Sequence, residues 1–204
     1  MTTLETQPET RISRLKVPAR EDLSPTIAQF FERTEEAEGY VPNWLKAFAL
    51  GGPGFTRLNA YLFPLLLGSP DSPSTLSLRE RDIVATVVSV ANRCSYCHAL
   101  HVDGLGKVLG DHRLAHRVAL DHREVAELTD RERLLSDLAI TLTHTPGEVS
   151  DARIEELRAV GLSDEDIYEA VQIISIINAT NRISIALGVL PDAELFAAPT
   201  DPAQ

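Results

Sequence analysis

Apolar residues recur every three or four positions along most of this chain, a period that predicts helices rather than strands. Ser24-Pro25 reads as an N-cap with proline at the first helical position. The helix it opens runs to about Gly39, with Ile27, Phe30 and Phe31 on its apolar side. Pro42 opens a second helix in which Trp44, Leu45, Phe48 and Ala49 share a face, and Gly51-Gly52-Pro53 stops it. Residues 54–68 read as a third helix, bent at Pro64. The run "GSPDSPST" that follows is a loop.

Later helices announce themselves by their caps. Ser77-Leu78-Arg79-Glu80 and Thr129-x-x-Glu132 are capping boxes, in which the hydroxyl takes a free backbone N–H and the glutamate reaches back. The helix after Ser77 carries Ile83, Val84, Val87, Val88, Val90 and Ala91. Its β-branched content makes a strand the rival reading, and the box, the length and the spacing favour helix. The helix after Thr129 ends near Pro146, and Ser150 caps one that Gly161 terminates. Ser163 opens the longest helix, 164–187, with Ile167, Val171, Ile174, Ile177 and Ile185 inside and Gly188 as its stop. "AVQIISIINATNRISIAL" is apolar on more than one face, which predicts the centre of a bundle or a subunit interface. With no hairpin signal and no β-α-β alternation, the predicted fold is all-α. Residues 1–20 are expected to be extended or flexible, 21–190 to form a single all-helical domain, and 191–204 to form a polar tail.

Composition narrows the classes. A chain of 204 residues, 44% apolar, suits one domain with a sizeable core. A net charge of −11 argues against nucleic acid as partner. The N-terminal twenty residues hold no apolar stretch of the secretory kind, and no unbroken run approaches the roughly 18 apolar residues of a spanning helix. The sequence therefore reads as cytoplasmic, with no membrane partner. In a reducing compartment a pair of cysteines is a poor structural staple. It is better suited to exchanging electrons or binding metal.

Both cysteines stand in "NRCSYCHALH". As a haem-attachment pattern, Cys94-x-x-Cys97-His98 fits literally, but no export signal accompanies it and Met1 is the only methionine, so an axial ligand would have to be a second histidine. As a zinc site, Cys94, Cys97 and His101 give three ligands without a second cysteine pair, which leaves open-site catalytic zinc as the remaining metal reading. The redox reading fits best. Asn92-Arg93 can end one helix and Cys94 can begin the next, where free N–H groups favour thiolate. Cys94, Cys97 and His101 then share one helical face, and His101 stands one turn beyond Cys97 as a base. An oxidised Cys97 would be trapped by Cys94 as a disulfide.

Blander roles compete for several residues. A cysteine in a helix is most often a small buried hydrophobe. His98, His112, His116 and His122 read as surface residues, Glu80 as the capping-box carboxylate, Asp82 as a complement to the helix dipole, and Tyr96 as packing. Asn178, Asn181 and Arg182 share a face of the longest helix and read as a hydrogen-bond set that fixes packing or a subunit contact.

Three segments carry a family resemblance. "GYVPNWLKAFA", "LSLRERDIVATVVSVANRCSYCHALHVDGL" and "LRAVGLSDEDIYEAVQIISIINATNRISIALGV" resemble the peroxidase-related, alkylhydroperoxidase D-like branch of the carboxymuconolactone decarboxylase superfamily. The core motif is an acidic residue, eleven intervening residues, C-x-x-C, three more, then His. The resemblance implies an all-α bundle of about eight to ten helices that assembles into homo-oligomers and reduces hydroperoxides with a thiol pair. By position it makes Cys97 the peroxide-attacking thiolate and Cys94 the more exposed resolving cysteine, which exchanges with an external reductant, a protein or lipoyl-type dithiol. His101 takes the place of the relay histidine, and Asp82 stands where the family usually has glutamate. Tyr96 occupies a position where the better-studied enzymes can carry a second histidine. No bound cofactor is implied. Two rival functions keep the same residues: a disulfide oxidoreductase or redox sensor, and a non-redox carboxymuconolactone-decarboxylase-like enzyme or oligomeric scaffold with idle cysteines.

Overall fold

A computed structural model describes residues 11–71 and 73–196; the first ten residues of the expected N-terminal segment and 197–204 of the expected tail lie outside them. Nine α-helices are found among the described residues: α1 (Pro25–Glu38), α2 (Asn43–Phe48), α3 (Pro53–Leu67), α4 (Leu78–Ala91), α5 (Ser95–Leu109), α6 (His112–Asp121), α7 (Asp130–His144), α8 (Asp151–Ala159) and α9 (Asp164–Leu187). No β-strand is present among these residues. α3 continues through Pro64.

The capping chemistry does more than start helices. Ser77, Thr129 and Ser163 each accept from the backbone N–H three residues on, and Glu80, Glu132 and Asp166 each reach back to the cap. Arginines then tie one box to another. Arg79 of α4 pairs with Glu132, while Arg131 of α7 pairs with Glu80 and, at 3.4 Å, with Asp166. Three helix N-termini are thereby gathered at one end of the molecule, so α4, α7 and α9 run parallel. Further along, Asn92 at the end of α4 donates to Asn178 Oδ1 at 2.9 Å, and Asn178 donates to Thr143 Oγ1 on α7 at 3.0 Å. Ser89 and Asn181 pair between α4 and α9. The asparagines of α9 are thus a buried packing set, and Arg182 joins it by donating to Asn178.

Two apolar clusters result. The larger is aliphatic and is built by α4, α5, α6, α7 and α9, with Ile83, Leu105, Leu135, Leu138 and Ile173 fully buried. The smaller is rich in aromatic rings and is built by α1, α2 and α3 against the start of α5. Phe30, Phe55 and Phe63 pack edge-on or tilted with centroids 5.4–5.7 Å apart, and Trp44 meets Phe48 at 5.4 Å.

Several expectations change. α6 was not foreseen; Gly110, at φ 65, breaks the chain after α5, and the Asp111 carboxylate accepts from Leu114 N–H to start a new helix. His122 is not a surface residue: it is 6% exposed, and its ring nitrogen lies 3.1 Å from Asp137 Oδ1, which satisfies it in a buried place. α9 is long and apolar enough to cross a membrane by length and composition, with a mean hydropathy of 1.3. Counting unbroken apolar runs passes over it, because Asn178, Asn181 and Arg182 interrupt the run. Here one side of it packs against α3, α4, α5, α7 and α8, its inner asparagines hydrogen-bonded, and the other side is exposed. Parts of both terminal segments are docked on the helices. Arg14 donates to the carbonyls of Ile185 and Ala186, which the end of a helix leaves without partners, and Leu190 N–H donates to Ile12 O. Asp192, in the expected tail, is 3% exposed.

Candidate functional site

The turn between α4 and α5 sets the dithiol. Arg93 adopts φ 54, the left-handed conformation that ends a helix, and the Cys94 N–H then bonds back to Ser89 O at 3.1 Å. Cys94 becomes the N-cap of α5, and its sulfur accepts from Cys97 N–H at 3.3 Å. The two sulfurs are 2.7 Å apart. Both thiols are free and buried, Cys94 at 1% exposure and Cys97 at 5%. Cys94 is therefore not the more exposed of the two: the helix start that stabilises its sulfur also encloses it.

Charge divides unevenly over this pair. The Cys97 S–H donates to Cys94, and the amides of Cys97 and Tyr96 point at the same sulfur, so the Cys94 thiol is held below its ordinary pKa against the cost of burial. Cys97 is pushed upward by the bond it donates, by burial and by the neighbouring charge, with a hydrogen bond to Ser184 easing the shift. Of the two, Cys94 is the thiol that ionises more readily.

Cys97 opens onto a cavity of about 870 Å³ between α1, α2, α3, α5 and α9. Phe30, Trp44, Phe55, Phe63 and Leu66 give it apolar walls, while Asp82, His101, Asn59, Thr180 and Ser184 supply polar groups. Three of the four residues predicted for the site, Cys97, His101 and Asp82, line this one cavity; Cys94 lies behind Cys97. No direct hydrogen bond joins Asp82 to His101 or His101 to Cys97. A bound water or substrate would be needed to bridge them.

Burial shifts Asp82 and His101 in opposite directions. It pushes Asp82 up to about 6, against the opposing pull of Arg81. It pushes His101 down to about 4, so the ring is neutral near pH 7. Among the described residues no group of three or more His, Cys, Asp or Glu side chains is arranged to hold a metal ion.

Tyr96 is more than packing. Fully buried, it donates to Asp192 Oδ2 at 2.8 Å, and Asp192 Oδ1 accepts from Asn43 N–H at 2.9 Å, so α5, the start of α2 and the C-terminal segment are tied together beside the dithiol. Asp192, Ser184 and Asn59 escaped the sequence reading. Asn59 left a signal: it is a lone amide on the buried face of α3, one turn from both Phe55 and Leu62. Asp192 left none, because its partner is 96 residues away.

Comparison with known proteins agrees with this geometry. The profile of the carboxymuconolactone decarboxylase family matches residues 55–110, which run from the cavity wall through the dithiol. No curated protein matches the chain. Among solved structures, an uncharacterized peroxidase-related protein from Silicibacter sp. TM1040 is 33% identical, with a TM-score of 0.84, over 93% of this chain and 96% of that one. A peroxidase-related protein from Ralstonia eutropha JMP134, described as an alkylhydroperoxidase AhpD core, is 28% identical, with a TM-score of 0.86, over 92% and 96%. The debrominase Bmp8 in complex with 2,3,4-tribromopyrrole shares the fold at 18% identity and a TM-score of 0.71, over 92% and 95%.

Proposed function

This chain belongs to the alkylhydroperoxidase D-like branch of the carboxymuconolactone decarboxylase superfamily, and from that premise we propose that it is a thiol peroxidase that reduces organic hydroperoxides with the Cys94–Cys97 pair. The observation that carries the reading is a dithiol whose sulfurs are 2.7 Å apart, one of which faces a ligand-sized cavity. Once Cys94 has lost its proton to solvent, passing the Cys97 proton to Cys94 leaves a Cys97 thiolate at the cavity wall. That thiolate attacks the terminal peroxide oxygen, the O–O bond breaks, and Cys97 becomes the sulfenic acid as the alkoxide leaves. Asp82, whose raised pKa keeps part of it protonated near neutrality, gives the leaving oxygen its proton through the His101 side of the cavity, and solvent reprotonates it. Cys94 then attacks the Cys97 sulfur, and water departs. The sum is dithiol plus hydroperoxide to disulfide, alcohol and water, with the sulfurs oxidised by two electrons and the peroxide reduced by two.

Regeneration follows from burial. An external dithiol cannot start at Cys94, which is 1% exposed. It enters by the cavity and attacks Cys97. A slender lipoyl-type dithiol suits that path better than a thiol held on a folded protein surface, and this sets the peroxidase reading above that of a protein disulfide oxidoreductase. The exposed side of α9, with Tyr168, Ser175, Ala179, Ile183 and Ala186, is the side we assign to a second copy of this chain, in line with a homo-oligomer. We place the enzyme in the cytoplasm, without nucleic-acid or membrane partners. The test is consumption of cumene hydroperoxide by the reduced protein, supplied with dihydrolipoamide. Wild-type protein turns over, Cys97→Ser does not, and equal rates for the two would sink the mechanism.

A further inference from the structure

One wall group has no place in the chemistry above. Asn59 is 4% exposed and lines the cavity. Its Nδ2 donates to Phe55 O at 2.9 Å, and because a backbone carbonyl can only accept, the amide orientation is fixed. Its Oδ1 is left buried without a donor. Such acceptors are few in folded proteins, since losing water without gaining a partner is unfavourable. Asp82 and His101 are already used in the peroxide chemistry, and several other polar wall groups have partners. Thr180 donates to Ile177 O, Lys107 is bonded to Asp103, and Ser184 faces Cys97.

The cavity itself is far larger than a peroxide group needs. An engineered cavity of about 150 Å³ suffices for benzene, against about 870 Å³ here. Aromatic walls favour a bulky apolar body, and an ion would be costly to bury against them.

Resting on the peroxidase reading for its reaction, the inference concerns what the site accepts: we propose that Asn59 selects a bulky, uncharged, mostly apolar substrate bearing an O–H group, which donates to Asn59 Oδ1. The substrate fills the aromatic wall with its body and satisfies the one orphaned acceptor. Asn59 is then a specificity residue.

The experiment measures binding and leaves turnover aside. The chain has a single tryptophan, Trp44, and it lies on the cavity wall, so its fluorescence reports occupancy. The probes are 1-adamantanol and 1-methoxyadamantane, which share a bulky apolar body and differ in the O–H donor. Wild-type protein binds the alcohol about tenfold more tightly than the ether, the scale of one hydrogen bond to a buried group. In Asn59→Leu the two affinities converge, with the ether bound at least as well as before. Equal affinities in wild type, no Trp44 response to either probe, or a preference that survives in Asn59→Leu would each overturn the proposal. The wild-type comparison stands even if the variant does not fold. Should the binding pattern hold while no hydroperoxide is consumed, the peroxidase reading fails and this one remains.

Discussion

The aliphatic cluster and the aromatic cluster are made from the same kind of helix, yet one is closed and the other is hollow. In the first, Leu105, Leu135, Leu138 and Ile173 meet side chains on every side and have no exposure. In the second, Phe30, Trp44 and Phe63 are only partly buried, because their inner faces look onto the cavity. The difference lies in what closes each helix set. α4, α7 and α9 are clamped at one end by crossed capping boxes and further along by Asn178. α2 is tied at its start to Asp192 and α3 meets α9 through Tyr61 and Gln172, but toward one another α1, α2 and α3 lean by ring contacts. Rigid packing fixes the dithiol from behind, and loose aromatic packing leaves room in front.

If that contrast is right, substitutions should separate into losses of stability and losses of activity. Leu138→Ala in the closed cluster lowers unfolding free energy by about 2–5 kcal/mol, measured by urea titration, while the protein that remains folded keeps its thiol reactivity. Asp82→Asn should do the reverse. Asp82 is raised to about 6 in the folded chain, so the folded state binds more protons than the unfolded one between about pH 4 and pH 6, and stability falls as the pH rises through that window. The asparagine removes that loss. It stabilises the protein by on the order of 2–3 kcal/mol at pH 8, from two units at 1.36 kcal/mol each, with no gain near pH 4, while peroxide turnover drops. The smallest stability change is expected at the hollow side. Phe63→Ala costs about 1–2 kcal/mol, less than a fully buried ring, and raises the KM for bulky hydroperoxides more than it lowers kcat.

The same contrast explains what the sequence disclosed. The clamps were legible because capping boxes are local: Ser77 with Glu80 and Thr129 with Glu132 are three residues apart, and the α4 helix was recoverable despite its valines. The motif placing Cys97, His101 and Asp82 was legible through spacing and family likeness, and all three line one cavity. What escaped was long-range or set by burial. The lowered pKa of Cys94, its enclosure, and the missing contact between Asp82 and His101 depend on which side of α5 faces the cavity. The buried His122 depends on Asp137, and Tyr96 on Asp192. No local pattern encodes such pairings.

The central claim is that Cys97, not Cys94, meets the peroxide, although Cys94 is the thiol that ionises more readily. The direct test is one equivalent of cumene hydroperoxide added to Cys94→Ser, followed by a sulfenic-acid-specific diketone and peptide mass spectrometry. The account predicts a stable label on Cys97, and no label on Cys94 when the reciprocal Cys97→Ser variant is treated in the same way. A label on Cys94 in Cys97→Ser, with Cys97 unlabelled in Cys94→Ser, would contradict it.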